Sequence, residues 1–212
     1  MKKPIIILTG PTAVGKTKLS ISLAQAVNGA IISADSMQVY RHMDIGSAKI
    51  RPEEMCGVPH YLIDVLDPSE EFHVVKFVEL AHEAMEKIYA AGQIPIVTGG
   101  TGFYIQALLK EVDFTESHGE LPIRKQLEEK AATEEGAAEL YRELSEVDPA
   151  SAETIHPNNV KRVIRALEYY HETGQKISEH NEEQKQKESP YCSAYFVLND
   201  ERSILYDRID RR

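Results

Sequence analysis

The sequence predicts an α/β fold, a parallel sheet flanked by helices, with a helical lobe inserted between two of its strands. Three observations carry that reading. Short apolar runs alternate with helix-period stretches through the first half of the chain, the pattern that lays parallel strands side by side under crossover helices. A glycine-rich loop joins the first apolar run to the first helix. A long, polar, helix-forming stretch then separates the last two apolar runs.

Taken in order, Ile5 to Leu8 reads as the first strand, and Lys18 to Val27 as a helix with Leu19, Leu23, Ala24 and Val27 on one face. Ala30 to Ser33 is the second strand. Tyr61 to Val65 and Ile94 to Val97 read as further buried strands, joined by a helix from His73 to Ala91 that stops at Gly92. Another helix follows Gly102, and Cys192 to Leu198 is one more strand. The core is thus expected in residues 1–112 and 191–212, with 113–190 as a mobile helical lobe over the carboxyl edge of the sheet. Within the lobe, breaks are expected at Gly136, Asp148-Pro149 and His156-Pro157, and Glu179 to Glu188 reads as a solvated linker. Tyr206 to Arg212 lies in a charged helix with no cap or stop signal, so the natural chain is expected to continue beyond it.

Composition narrows the function classes. With 212 residues, 42% hydrophobic and 27% charged, the chain suits one soluble core with a smaller lobe. No apolar run approaches the roughly 20 residues of a membrane span, and the start has neither the apolar length nor the cleavage site of a signal peptide, so a cytoplasmic protein is expected. A monomer is the expected assembly. Cys56 and Cys192 stand far apart, outside any metal or disulfide spacing, and read as ordinary half-buried thiols. The net charge of -10 argues against a protein that coats nucleic acid. That charge is uneven, however. Glu111 to Asp148 holds 12 acidic and four basic residues, whereas Asn158 to Arg165 carries Lys161, Arg162 and Arg165 with no acid.

The chemistry begins with Gly10-Pro11-Thr12-Ala13-Val14-Gly15-Lys16-Thr17, which matches G-x-x-x-x-G-K-[ST] between a predicted strand and a predicted helix. This places the fold in the P-loop nucleoside-triphosphate-hydrolase-like class. The loop turns its N–H groups inward around phosphates, Lys16 adds a full charge, and Thr17 is placed to hold Mg2+. A hydrolytic motor would also need an acid at the end of a buried strand. The strand Ile94 to Val97 runs instead into Thr98-Gly99-Gly100-Thr101-Gly102, with no acid. Asp64 is the alternative metal-holding acid, or a strand-end residue bonded to backbone. Gly99 to Gly102 reads either as a second phosphate cradle, with Thr101 donating its hydroxyl, or as a plain turn. Asp35 follows the second strand at the edge where open parallel sheets place ligands, so it is a candidate general base, although an acid after a strand is more often a turn or cap residue.

Further blocks stand beside these. Asp35-Ser36-Met37-Gln38-Val39-Tyr40, Met43 to Lys49, Pro59 to Asp64, Gly99 to Tyr104, and His156 to Asn159 with Arg162 and Arg165 to Glu168 follow one another along almost the whole chain. In that order they resemble the bacterial tRNA dimethylallyltransferases. Ser47 and Ile50 stand where that family more often has Thr and Pro, and the family's chain usually runs on past the end of this one. The resemblance implies transfer of a dimethylallyl group from dimethylallyl pyrophosphate to N6 of the adenosine at tRNA position 37, in the anticodon stem-loop, releasing pyrophosphate. It implies that Asp35 serves the N6 proton, and that Lys16, Thr101 and a Mg2+ on Thr17 stabilise the leaving group. It also implies that Asp35, Ser36, Met37, Gln38 and Thr101 meet the base, while Asn158, Asn159, Val160, Lys161, Arg162 and Arg124 contact tRNA. A P-loop kinase acting on a small molecule or nucleoside, and a noncatalytic RNA-binding module, are the rival readings. Neither needs both Asp35 and the basic helix.

Overall fold

The computed structural model of the chain describes residues 2–112 and 122–211. Among them, the strands β1 (Lys3–Thr9), β2 (Gly29–Ser33), β3 (His60–Tyr61), β4 (Ile94–Gly99) and β5 (Tyr191–Val197) form one all-parallel sheet in the order β3-β2-β4-β1-β5. The chain divides into two compact units, Met1–Val112 with Ser189–Arg212, and Asp113–Glu188. The lobe's expected first residue, Asp113, is outside the described residues.

In the first unit, helices cover the interior of the sheet on both faces, so its central strands read as continuous apolar runs. Every residue of β2 is buried. Its alternate residues serve opposite layers, as the two-residue period of a strand requires. Ile31, in register with Ile96 of β4, packs with Ala24 of α1 (Lys16–Val27) and with Val58. Ile32, in register with Val97, packs with Phe77, Ala81 and Ile88 of α2 (Val74–Ala90) and with Ile105 and Leu108 of α3 (Gly102–Lys110).

Three expectations about this unit need correction. On α1, Leu19 is 44% exposed and Ser20 takes the buried place, its hydroxyl satisfied by the Thr17 carbonyl at 2.9 Å. Both cysteines are exposed rather than half-buried. The apolar run Tyr61 to Val65 is not a strand beyond Tyr61, because Leu62 and Asp64 take left-handed φ values of 62° and 55°. The chain there leaves β2 and follows the segment after it: Asp64 N–H donates to the Gln38 carbonyl at 3.1 Å and Val65 N–H to that of Val39 at 2.9 Å.

The second unit is helical: α4 (Pro122–Lys130), α5 (Glu134–Val147), α6 (Pro149–Thr154), α7 (Val160–Thr173) and α8 (Ile177–Gln186). Leu127, Leu140, Leu144, Val163, Ile164 and Leu167 form its core. The breaks at Asp148-Pro149 and His156-Pro157 fall between helices, as expected. Gly136 is no break: it lies in the first turn of α5, where its N–H donates to the capping Thr133 hydroxyl at 3.1 Å. Most of the stretch Glu179 to Glu188, expected as a linker, belongs to α8.

What holds α8 is a buried carboxylate. Asp148, only 2% exposed, accepts from Ser151 N–H and Oγ at 3.1 and 2.7 Å, and from Ser178 N–H and Oγ at 3.0 and 2.6 Å. Burial alone would raise its pKa, but these four donors outweigh burial and hold it below the usual aspartate value. Stability from this group is therefore present above the unfolded-state value of about 4 and is lost as pH falls through the lower folded value. Asp148→Ala should cost about 2–4 kcal/mol, because it strands buried donors. Thermal melts of both proteins at neutral and acid pH test this; the difference between them should shrink as pH falls below 4 or so.

Candidate active site

β1, β4 and β2 end together at the carboxyl edge of the sheet, with Thr9 in register with Gly99 and Ser33 with Thr98. The loops that leave these three ends are the ones singled out in the sequence. Open parallel sheets place their ligands at this edge.

The first loop runs from Gly10 to Thr17 into α1. Gly10 has φ +152°, and a Cβ there would lie 2.5 Å from the Leu198 carbonyl oxygen, so no other residue fits between β1 and the chain after β5. Pro11 and Thr12 are exposed, Ala13 takes a left-handed φ of 65°, Val14 is half-buried, and Gly15 caps α1. Lys16 folds back over the loop and donates to the carbonyls of Gly10 and Pro11, both at 2.8 Å. Burial lowers its pKa, and the nearby Asp35 carboxylate works against that. The cation at the P-loop and the acid after β2 therefore share one electrostatic environment.

In the second loop, Asp35 Oδ1 accepts the N–H groups of Met37 and Gln38 at 2.9 and 3.3 Å. This is the turn-forming bond expected of an acid after a strand. It occupies one oxygen and fixes the carboxylate beside Lys16. Ser36 is half-buried and Met37 is 44% exposed. Gln38 is held on both ends: Oε1 accepts from Ser33 Oγ, and Nε2 donates to the carbonyls of Ser47 and Ala48, all at 3.3 Å. Lys49 completes this tie. Its side chain is 5% exposed, and Nζ donates to the Tyr40 carbonyl at 2.8 Å, Asp44 at 2.7 Å and Asp64 at 2.6 Å. Asp64 is thus the partner of a lysine on the far side of this loop, and it does not line the cavity beside Thr17 where a metal-holding acid would stand.

In the third loop, Gly99 is required because a Cβ would collide with the carbonyl of Ala34. Thr101 caps α3 through its backbone, and its hydroxyl makes no capping bond. Behind the P-loop, Thr17, Ser20, Ser33, Gln38, His60 and Thr98, with three isoleucines, line a cavity of about 30 Å³. His60 Nδ1 donates to the Val58 carbonyl at 2.8 Å, and burial keeps the ring below its usual pKa. The cavity walls offer neutral oxygens and no carboxylate, and Thr98 Oγ1 is buried without a partner. Of this lining only Thr17 belongs to the P-loop, and its hydroxyl would be the protein ligand of a hard cation whose other ligands are water and phosphate oxygens.

One residue here carries no motif signal in the sequence. Arg208, on α9 (Arg202–Asp210), is held by Asp200 at 2.9 Å and reaches the Ala13 carbonyl at 3.4 Å, which adds a second cation at the P-loop.

The remaining predicted residues belong to the second unit. Asn158 and Asn159 precede α7 and are exposed, Val160 is half-buried, and Lys161, Arg162 and Arg165 are exposed along the helix. Val163, Ile164 and Leu167 occupy the opposite, buried face. Arg124 on α4 is engaged by Glu128 at 3.1 Å and by the buried Glu168 at 3.2 Å. Burial raises the Glu168 pKa, partly offset by that guanidinium.

A P-loop α/β protein with Asp35 at the ligand edge of the sheet, and with β4 ending without an acid, is what this fold and site define. The IPP transferase family profile matches residues 38–212. The chain is 64% identical over 210 residues to the tRNA dimethylallyltransferase of Lachnoclostridium phytofermentans, covering 99% of this chain and 67% of that one. Among solved structures, it resembles the full-length tRNA isopentenylpyrophosphate transferase of Bacillus halodurans with a TM-score of 0.65 at 45% identity, covering 100% of this chain and 64% of that one. It also resembles a eukaryotic dimethylallyltransferase acting on tRNA, with a TM-score of 0.85 at 38% identity, covering 99% and 52%. The chain belongs to the IPP transferase family. It spans 67% and 66% of the length of two curated relatives that it matches. Among the described residues, no helix is long and apolar enough to cross a membrane.

Proposed function

We propose that this chain carries the donor and acceptor machinery for moving a dimethylallyl group from dimethylallyl pyrophosphate to N6 of the adenosine beside the anticodon of tRNA, in the cytoplasm and as a monomer. The observation that carries this reading is that Lys16 and Asp35 stand in the loops leaving β1 and β2 at one sheet edge, on either side of β4, which ends without an acid. Lys16, Arg208 and the N–H groups of the P-loop bind pyrophosphate as a leaving group, so no water-activating residue is needed. The allylic C–O bond breaks, a C–N bond forms, and the N6 proton goes to Asp35, whose Oδ1 is already anchored by Met37 and Gln38. Thr17 would hold Mg2+, which supplies positive charge to pyrophosphate. Thr101, whose hydroxyl makes no capping bond, would donate it to the same group. Dimethylallyl pyrophosphate and inorganic pyrophosphate should compete for the P-loop, while ATP is not turned over. Steady ATP hydrolysis or phosphoryl transfer to a small acceptor overturns the reading.

The acid-free exposed face formed by Lys161, Arg162 and Arg165 supports an anticodon stem-loop partner for the helical unit, joined by Asn158, Asn159 and Arg124. Replacing Lys161 and Arg162 together with Ala should weaken RNA binding and flatten the plot of log affinity against log salt by about 1–2, since two phosphate contacts release fewer counterions. Filter binding over a salt series measures this, and an unchanged slope returns the face to plain solvation.

A further inference from the structure

P-loop hydrolases hold their metal between the loop's Ser or Thr and an acid at the end of a buried strand. In this chain β4, hydrogen-bonded beside β1, provides that strand, and at its end, in register with Leu8 and Ser33, stands Thr98. The Thr98 Oγ1 is buried and makes no hydrogen bond. Other polar groups on the same cavity are bonded within the fold: Ser20 to the Thr17 carbonyl at 2.9 Å, Ser33 to Gln38 at 3.3 Å, and Gln38 to the carbonyls of Ser47 and Ala48. A buried hydroxyl without a partner is rare, because it loses its water and gains nothing. The cavity it shares with Thr17, about 30 Å³, has room for one or two waters.

We propose that Thr98 is a metal-positioning residue: its hydroxyl holds a water in the shell of the divalent cation bound at Thr17, where a hydrolase would place a carboxylate. The inference rests on the Mg2+ assignment above and deepens it. A hydroxyl adds no negative charge, so the cation's full charge remains available to pyrophosphate.

The test is binding of Mn2+, followed by its paramagnetic resonance signal, to the full chain in the presence of inorganic pyrophosphate. Thr98→Val keeps the shape and the β-branch but removes the oxygen. It should weaken Mn2+ binding by about 10–100-fold, the usual effect of losing an outer-shell partner. Thr98→Ser should bind as wild type. The valine variant should melt at or above the wild-type temperature, since it removes an unpaired buried hydroxyl. Equal Mn2+ affinity in wild type and Thr98→Val overturns the role of Thr98 alone. A lower melting temperature for Thr98→Val overturns it too, because the hydroxyl would then already be satisfied within the fold. Failure of the wild type to bind Mn2+ with pyrophosphate removes the metal at Thr17 and this inference with it.

Discussion

Asp35→Asn is expected to slow transfer by about 10²–10⁴-fold at saturating RNA and donor, the range that general-base catalysis contributes. Asparagine keeps the size of the side chain, and its Oδ1 can still accept the N–H groups of Met37 and Gln38, so the turn after β2 should survive. What disappears is the negative charge beside Lys16. Donor affinity should change little. Single-turnover rates separate the outcomes. A rate restored by excess RNA would make Asp35 a recognition residue, and a near-wild-type rate would leave it a turn residue only.

Lys16→Ala is expected to lower both pyrophosphate affinity and transfer, the latter by about 10²–10³-fold, as for removal of one fixed donor to a developing negative charge. With no phosphate present, the ammonium is bonded to two loop carbonyls. A bound pyrophosphate offers it charged oxygens instead, a stronger exchange. Because burial lowers the Lys16 pKa, affinity should begin to decline on the alkaline side before the ordinary lysine range. Calorimetric titration with inorganic pyrophosphate checks both statements. Undiminished binding by Lys16→Ala would remove the P-loop from the account.

The parts of this site that could be read from the sequence are those encoded locally. The P-loop is one contiguous run whose glycines, lysine and threonine keep their meaning in any strand-loop-helix context. Asp35 was readable because a residue just after a parallel strand must lie at the ligand edge. The run Tyr61 to Val65 was misread because its apolar residues suit a strand, while the deciding event is distant: the carbonyls of Gln38 and Val39 capture the N–H groups of Asp64 and Val65. Glu179 to Glu188 was misread for a similar reason, since its charges suit a linker and the Asp148 carboxylate that fixes Ser178 lies 30 residues away. Thr98 and Arg208 had no pattern to betray them. Each matters only because the sheet order and the terminal helix carry it to the P-loop.

The most direct measurement is the mass of an anticodon stem-loop RNA after incubation with the chain, Mg2+ and dimethylallyl pyrophosphate, with released pyrophosphate assayed in the same tube. RNA with adenosine beside the anticodon should gain one dimethylallyl group in place of one hydrogen, with one pyrophosphate released per RNA modified. RNA with guanosine at that place should stay unmodified. An RNA of unchanged mass, with phosphate released from ATP supplied in parallel, would rule out prenyl transfer and place the chain among the P-loop kinases or hydrolases.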